Sequence, residues 1–102
     1  MPRYLEGKAV LVVGAGNDAH RGIVMALAEA GANVAVGGPA ADLAAEAALH
    51  SIANEVWAVG RRSTVVTFAD ADAVSFAQAL NQAREELGSV DLVLRCEPVM
   101  NA

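Results

Sequence analysis

The strongest constraint on the fold of this chain is the regular alternation of short apolar runs with Ala/Leu-rich stretches. Residues 9–13 form a β-branched run without polar alternation, as expected of a strand buried on both faces of a parallel sheet. Three later segments are predicted as the other strands: residues 33–36, 63–68 and 90–94. The stretches between the runs carry apolar residues at helical spacing, over about 19–30, 42–59 and 70–87. This pattern predicts repeating strand–helix units.

Each predicted helix ends at a glycine, the residue that most easily adopts the left-handed conformation that closes a helix. Gly31, Gly60 and Gly88 hold these positions. The helical spacing predicts three sets of inward-facing side chains, with core or interface positions for the aromatic residues. The predicted inward residues are Ile23, Val24, Leu27 and Ala30 in the first helix, Leu43, Ala47, Leu49, Ile52 and Val56 in the second, and Val74, Phe76, Ala77, Leu80 and Leu87 in the third; Trp57 and Phe68 complete the set.

The strand–helix alternation also restricts the order of the strands, because parallel strands are joined by right-handed crossovers. The order that gives every helix a face to cover is 3-2-1-4, which is half of a doubly wound sheet. The sequence therefore predicts a three-layer α/β fold with a parallel sheet of four strands. We expect residues 1–102 to form a single domain of this kind.

The composition excludes several classes of function. The chain has 102 residues, of which 12 are acidic and 7 basic, and its formal net charge is -5. Nucleic acids and anionic membranes attract strongly basic surfaces, so we expect neither as a partner. The longest apolar run, residues 9–15, is too short to cross a bilayer, which takes about 20 residues.

The cysteine content and the N-terminal residues indicate a cytoplasmic protein. Cys96 is the single cysteine and cannot close an intrachain disulfide bond. The N-terminal residues carry charges where a signal peptide needs an apolar run. His20, His50 and Cys96 lie on different predicted elements without the spacing of metal ligands, so we expect no metal site.

Several motifs resemble the N-terminal half of the short-chain dehydrogenase/reductases. In chain order, the matching segments are 5–16, 21–23, 26–32, 70–74 and 88–94. Together they extend over essentially the whole chain. The resemblance implies a truncated half-Rossmann fold from a family of much longer NAD(P)-dependent oxidoreductases.

The first turn of this chain departs from the family's pattern. The family's turn, Thr-Gly-x-x-x-Gly-x-Gly, aligns with residues 13–20, where Gly14 is kept and Asp18 and His20 replace the other two glycines. The resemblance thus assigns a degenerate cofactor turn to Gly14, Gly16, Asp18 and His20. The lost glycines would let the backbone approach a pyrophosphate, and the Asp18 carboxylate would repel one. Asp18 also suits the N-cap of the first helix, and we expect a packing or surface role for His20.

The other cofactor motifs have changed as well. Gly37-Gly38-Pro39 stands where such a fold carries an acidic residue or an Arg that selects between NAD and NADP. By the resemblance, Thr67 replaces an Asp that contacts adenine, and residues 95–98 replace an Asn-Asn-Ala-Gly motif. The family's catalytic Ser and Tyr-x-x-x-Lys would lie beyond residue 102. We therefore expect no catalytic residue and no cofactor, with NAD or NADP as the alternative.

Three functional hypotheses follow from these observations. The first is a non-catalytic, dehydrogenase-like subunit, or pseudoenzyme, with a structural or regulatory role. Its partner would be a second copy or a full-length dehydrogenase-like subunit, held through the region of the fourth strand. The second is a residual NAD(P)- or anion-binding module of an oxidoreductase whose catalytic half is on another chain. The third is a fragment of a longer reductase-like protein.

Overall fold

A computed structural model describes residues 4–39, 42–68 and 73–96 of the chain. Seven elements alternate along these residues: β1 (Ala9–Val13), α1 (Asp18–Glu29), β2 (Asn33–Pro39), α2 (Leu43–Ala58), β3 (Ser63–Phe68), α3 (Ala73–Leu87) and β4 (Leu92–Arg95). This order confirms the predicted strand–helix alternation. No helix in the described ranges is long and apolar enough to cross a membrane.

The four strands form one parallel sheet in the order β3-β2-β1-β4, as predicted. Along β1 the register pairs Leu11 with Ala35 of β2 on one side and with Val93 of β4 on the other. This order places β1 in the middle of the molecule, which explains its unbroken apolar sequence. It also places the C-terminal ends of β1 and β4 side by side, where doubly wound sheets bind their ligands.

The helices cover the two faces of the sheet and create two cores. Val24 and Ala28 of α1 pack with Leu49, Ile52 and Val56 of α2 against one face of β1 and β2. The opposite face is covered by α3. Its buried alanines and terminal leucine pack against β1, β2 and β3, in a cluster formed by Ala9, Leu11, Ala35, Val66, Ala79, Ala83 and Leu87. The structure thus has the predicted three layers.

Several side chains predicted to face inward are exposed. Leu43 is 86% exposed and Val74 is 68% exposed, and the same correction applies to Ile23, Ala47 and Ala77. Successive residues turn by about 100° around a helix, and the buried residues of each helix fix an inward direction that lies about 100° or more away from these positions. Trp57, at 64% exposure, is not a core residue, because it follows Val56 and so points away from the sheet.

Three strand boundaries also differ from the predictions, including the end of β4, which lies at Arg95 rather than at residue 94. β2 extends through Gly37 and Gly38 to Pro39, because β3 continues to pair with it as far as Phe68. β4 begins at Leu92 rather than at residue 90, because Asp91 bonds to Ala9 through both its backbone and its carboxylate. The predicted N-cap Asp70 lies outside the described residues.

Candidate functional site: the β1–α1 turn

The turn between β1 and α1 lies at the C-terminal edge of the sheet, between the ends of β2 and β4. Gly14 continues the line of β1 and donates its N–H to the carbonyl of Gly37 in β2, over 2.9 Å. Gly16 has a φ of +76°, a left-handed conformation that a residue with a Cβ rarely adopts. The backbone therefore retains the compact glycine turn that the sequence predicted here.

The side chain of His20 fills this turn and lies between Gly16 and the end of β1. His20 is fully buried, although it lies in the first turns of α1. Its Nδ1 accepts the N–H of Gly16 over 3.0 Å. Its Nε2 lies 3.0 Å from the carbonyl oxygen of Val12. Because a carbonyl can only accept, Nε2 carries the proton and donates it, and the imidazole is neutral.

Burial lowers the pKa of His20, since an imidazolium inside the protein would lose its hydration, and the bond to Val12 opposes this change only in part. The neutral form is also the only one that lets Nδ1 accept the Gly16 N–H. Of the packing and surface positions expected for His20, the structure shows the buried one. The His20 ring thus occupies the space beside Gly14 and bonds to Gly16.

The N-cap of α1 is Asn17, not Asp18. The Asn17 side-chain oxygen accepts the N–H of His20 over 3.0 Å, in the arrangement of a helix N-cap. Asp18 is the first residue of α1 and is exposed. Both residue types are favoured caps, so the sequence alone did not distinguish them. Asp18 still brings a negative charge to the helix end whose dipole favours one.

The end of β2 closes the site from the other side. A Cβ added to Gly38 would lie 2.5 Å from the carbonyl oxygen of Gly14 and 3.1 Å from a methyl group of Leu49. Real Cβ atoms essentially never lie this close to a backbone oxygen, so Gly38 has no room for any side chain. The close packing of β2 against the β1–α1 turn therefore leaves no room at position 38 for a charged side chain that could select a ribose.

The end of β4 completes the edge. The Cys96 N–H donates to the carbonyl of Val13 over 2.7 Å, and the partial burial of the Cys96 thiol raises its pKa. Arg95 is exposed, and its guanidinium lies 4.6 Å from the ring centre of Phe76 in α3. This distance is typical of a cation–π contact, which holds the only charged side chain of β4 against α3.

The residues predicted for the degenerate turn separate into two groups. Gly14, Gly16 and His20 are brought together, whereas Asp18 lies outside their contacts. Within the described ranges no group of three or more potential metal ligands is close enough to hold an ion. The only tyrosine and the only lysine of the sequence, Tyr4 and Lys8, precede β1 and so lie towards its opposite end.

The sequence prediction missed two contacts of this site. The contact of Gly38 with the Gly14 carbonyl depends on the register between β1 and β2. The bond from Gly16 to His20 depends on the rotamer of a buried side chain. The spacing of four residues between Gly16 and His20 was the one available signal, since it allows a turn to bond back to the following helix.

No family model matches this chain. A curated relative, the hydroxynaphthalene reductase-like protein Arp2 of Metarhizium acridum, is 29% identical over 94 residues, which are 92% of this chain and 34% of that protein. A solved short-chain type dehydrogenase/reductase from Mycobacterium marinum is 30% identical, with a TM-score of 0.74 over 87% of this chain and 34% of its own.

Two further solved structures have similar folds. A short chain dehydrogenase from Mycobacterium avium is 25% identical, with a TM-score of 0.84 over 99% of this chain and 36% of its own. A putative dehydrogenase from Burkholderia cenocepacia with bound NADP is 25% identical, with a TM-score of 0.80 over 93% of this chain and 36% of its own. The chain thus spans about a third of the length of the proteins that it matches.

Proposed function

This chain is related to the short-chain dehydrogenase/reductases in sequence and fold, and from that relation we propose that it is a non-catalytic member of the family. Its role is structural or regulatory, as a subunit of a homo-oligomer or of an assembly with a full-length dehydrogenase-like chain. The observation that carries this proposal is the occupation of the β1–α1 turn by the buried His20 imidazole.

The filled turn opposes dinucleotide binding. A pyrophosphate at such a turn is held by backbone N–H groups at the start of the helix, and here the Gly16 N–H already bonds to His20. Taking that N–H for a phosphate leaves the buried Nδ1 without a donor, at a cost of about 1–3 kcal/mol. The exposed carboxylate of Asp18 adds a repulsion of about 1 kcal/mol at 4–5 Å in water. Gly38 has no charged side chain that could contact the ribose of NAD or the 2′-phosphate of NADP.

Within residues 4–39, 42–68 and 73–96, neither the tyrosine nor the lysine of the chain lies at this edge. In the complete family the proton donor is the tyrosine of a Tyr-x-x-x-Lys motif. Here Tyr4 is 82% exposed and precedes β1, as does Lys8, so neither stands near the turn at the far end of that strand. We therefore propose that the chain alone catalyses no hydride transfer, because that reaction needs both a bound nicotinamide and a proton donor.

The free edge of β4 supports a role in assembly. Within the described residues β4 pairs only with β1, and Leu92 is 48% exposed beside it. An open strand edge next to apolar side chains favours pairing with another chain. A second copy joined there about a two-fold axis would extend the sheet through an isologous contact, and a full-length relative would cover the same edge.

Calorimetric titration tests the loss of cofactor binding. We expect NAD(H) and NADP(H) to bind with a Kd weaker than about 1 mM, which corresponds to about 4 kcal/mol. A micromolar Kd for either dinucleotide would overturn the proposal. The matched comparison is a double variant, Asp18→Gly with His20→Gly, which restores the two glycines of the family's turn. An improved affinity would identify repulsion and crowding in the turn as the obstacle, whereas unchanged binding would point to the missing ribose contacts.

Light scattering and sedimentation test the assembly. We expect a dimer at tens of micromolar that Leu92→Lys dissociates, since the new charge lies beside the open edge, while Gln82→Lys on the exposed side of α3 leaves it intact. A stable wild-type monomer would refute self-assembly. A dimer that survives Leu92→Lys would refute its location at β4. In the heteromeric version the chain is insoluble alone and becomes soluble when its partner is coexpressed.

The bound nucleotides of two relatives favour one alternative. Structures that this chain matches contain NADP, in the protein from Burkholderia cenocepacia, and NADPH, in a blue fluorescent protein from a metagenomic library. The alternative proposal is a residual NAD(P)- or anion-binding module that completes an oxidoreductase with a second chain. Its sign would be cofactor binding that appears only in the complex. A fragment of a longer reductase-like protein is the third possibility, and it would appear as a larger mass of the native protein.

A further inference from the structure

The hydrogen bonds of His20 define a single protonation state for the β1–α1 turn. Nδ1 accepts from the Gly16 N–H and Nε2 donates to the Val12 carbonyl, each over 3.0 Å. A second proton on the ring would sit on Nδ1, where it would oppose the Gly16 N–H at hydrogen-bond distance. Two donors cannot share one bond, so protonation of this ring and the closed turn exclude each other.

We propose that His20 is a proton-sensitive latch, which holds the β1–α1 turn closed when neutral and releases the Gly16 N–H when protonated. This inference does not depend on whether the chain binds a cofactor or assembles through β4. It rests on the contacts of a buried side chain that also packs against Gly14, whose added Cβ would lie 2.6 Å from the ring. Movement of the ring therefore changes the packing against Gly14 and frees the Gly16 N–H, whereas the bond from the Gly14 N–H to Gly37 does not involve the ring.

The surroundings of His20 favour the neutral form at neutral pH. Burial is the dominant cause that lowers its pKa, and none of the contributing causes is a charged side chain. On its own helix, Asp18 and Arg21 are exposed, and Arg21 is engaged by Glu55 of α2 in a two-point ion pair. On the sheet side β1 presents the Val12 carbonyl and β2 presents Gly37 and Gly38 around the turn, while the partly buried Cys96 follows β4 and bonds to Val13.

The ring nitrogens of His20 test the latch directly by NMR of the labelled full chain. At neutral pH we expect the nitrogen signals of a ring protonated at Nε2 and unprotonated at Nδ1. The His20 signals should titrate below the ordinary imidazole pKa of 6.5, because burial lowers the pKa of His20. A ring protonated at Nδ1, or a His20 titration at or above pH 6.5, would overturn the proposal.

The Gly16 amide reports the opening itself. We expect its protection against hydrogen exchange, corrected for the intrinsic pH dependence, to fall by up to about tenfold per pH unit as His20 titrates. The Gly14 amide, which bonds to Gly37 rather than to the ring, should keep its protection over the same range. Equal loss at both amides would mean global unfolding, and unchanged protection of Gly16 would mean no latch; either outcome refutes the proposal.

A variant separates protonation from packing. His20→Phe keeps an aromatic ring but cannot titrate, so the acid-dependent change at Gly16 should disappear while the amides of β2 stay protected. If that variant does not fold, the ring-nitrogen signals of wild-type His20 and the comparison of the Gly16 amide with the Gly14 amide decide the question alone. An acid-dependent change at Gly16 that persists in a folded His20→Phe chain would refute the role of His20.

Discussion

Substitution of Gly38 by alanine is the sharpest test of how the candidate site is packed. The new Cβ would lie 2.5 Å from the Gly14 carbonyl oxygen and 3.1–3.2 Å from the two terminal methyl groups of Leu49. The methyl groups can move, because they end a flexible side chain. The carbonyl cannot move alone, because Gly14 also donates its N–H to Gly37.

The cost of this substitution follows from overpacking. Inserting a methyl group into a packed site costs about 1–3 kcal/mol, and the fixed carbonyl places Gly38→Ala towards the upper half of that range. About 2 kcal/mol lowers the Tm of a domain of this size by about 8–16 °C. Gly22→Ala is the matched control. Gly22 lies inside α1 with nothing within 4 Å of an added Cβ, so the same chemical change should raise stability by about 0.5–1 kcal/mol.

Chemical denaturation with urea, followed by circular dichroism, measures both variants under the same conditions. The expected result is a lower midpoint for Gly38→Ala and a higher midpoint for Gly22→Ala, with equal slopes. A Gly38→Ala chain within about 0.5 kcal/mol of the wild type would refute the reasoning. In that case the end of β2 would have room for a side chain, and the absence of a ribose-selecting charge there would need another explanation.

Three further perturbations test other parts of the structure. Burial lowers the pKa of His20 from its ordinary value of 6.5, so the unfolded chain binds more protons, and stability should fall by up to about 1.4 kcal/mol per pH unit below about pH 6.5; thermal unfolding of the wild type against His20→Phe, which cannot titrate, measures this. Leu49→Ala should cost about 2–5 kcal/mol, whereas Leu43→Ala, in the same helix but 86% exposed, should change stability by less than about 0.5 kcal/mol. Gly14→Ala should destabilise the wild type by about 1–3 kcal/mol but cost less beside His20→Ala, because the three atoms nearest to the added Cβ all belong to that ring; additive effects in a double-mutant cycle would contradict the contact.

The sheet could be predicted from the sequence because its signals are local and repeated. The apolar run of β1 and the boundaries of β3 were correct to the residue, and so was the strand order. These features follow from continuous apolar runs, helix-ending glycines and the handedness of crossovers. The predicted faces of the helices were less accurate. In α2 the predicted Leu49, Ile52 and Val56 are buried but Leu43 is exposed. In α3 the predicted Val74 is exposed, and Ala79 and Ala83 occupy the buried face instead.

The candidate site could be predicted in position but not in detail. Gly14, Gly16 and His20 were identified from their alignment with a glycine-rich turn, and the structure brings them together. The choice of Asn17 over Asp18 as the N-cap depends on one backbone angle at the start of α1. The protonation state of His20 depends on two backbone partners, Val12 and Gly16, that sequence spacing does not determine.

The contacts of the turn give the retained glycine a role different from the one it has in a phosphate-binding turn. There, glycine lets the backbone approach a ligand. Here, the space beside Gly14 is occupied by the His20 ring on one side, and its carbonyl oxygen lies against Gly38 on the other. A larger residue at 14 would displace the imidazole, and the Gly16 N–H would then lose its acceptor. A glycine at position 14 is therefore needed in a turn filled by His20, just as it is in a turn that binds a nucleotide. The presence of Gly14 alone does not indicate a bound nucleotide.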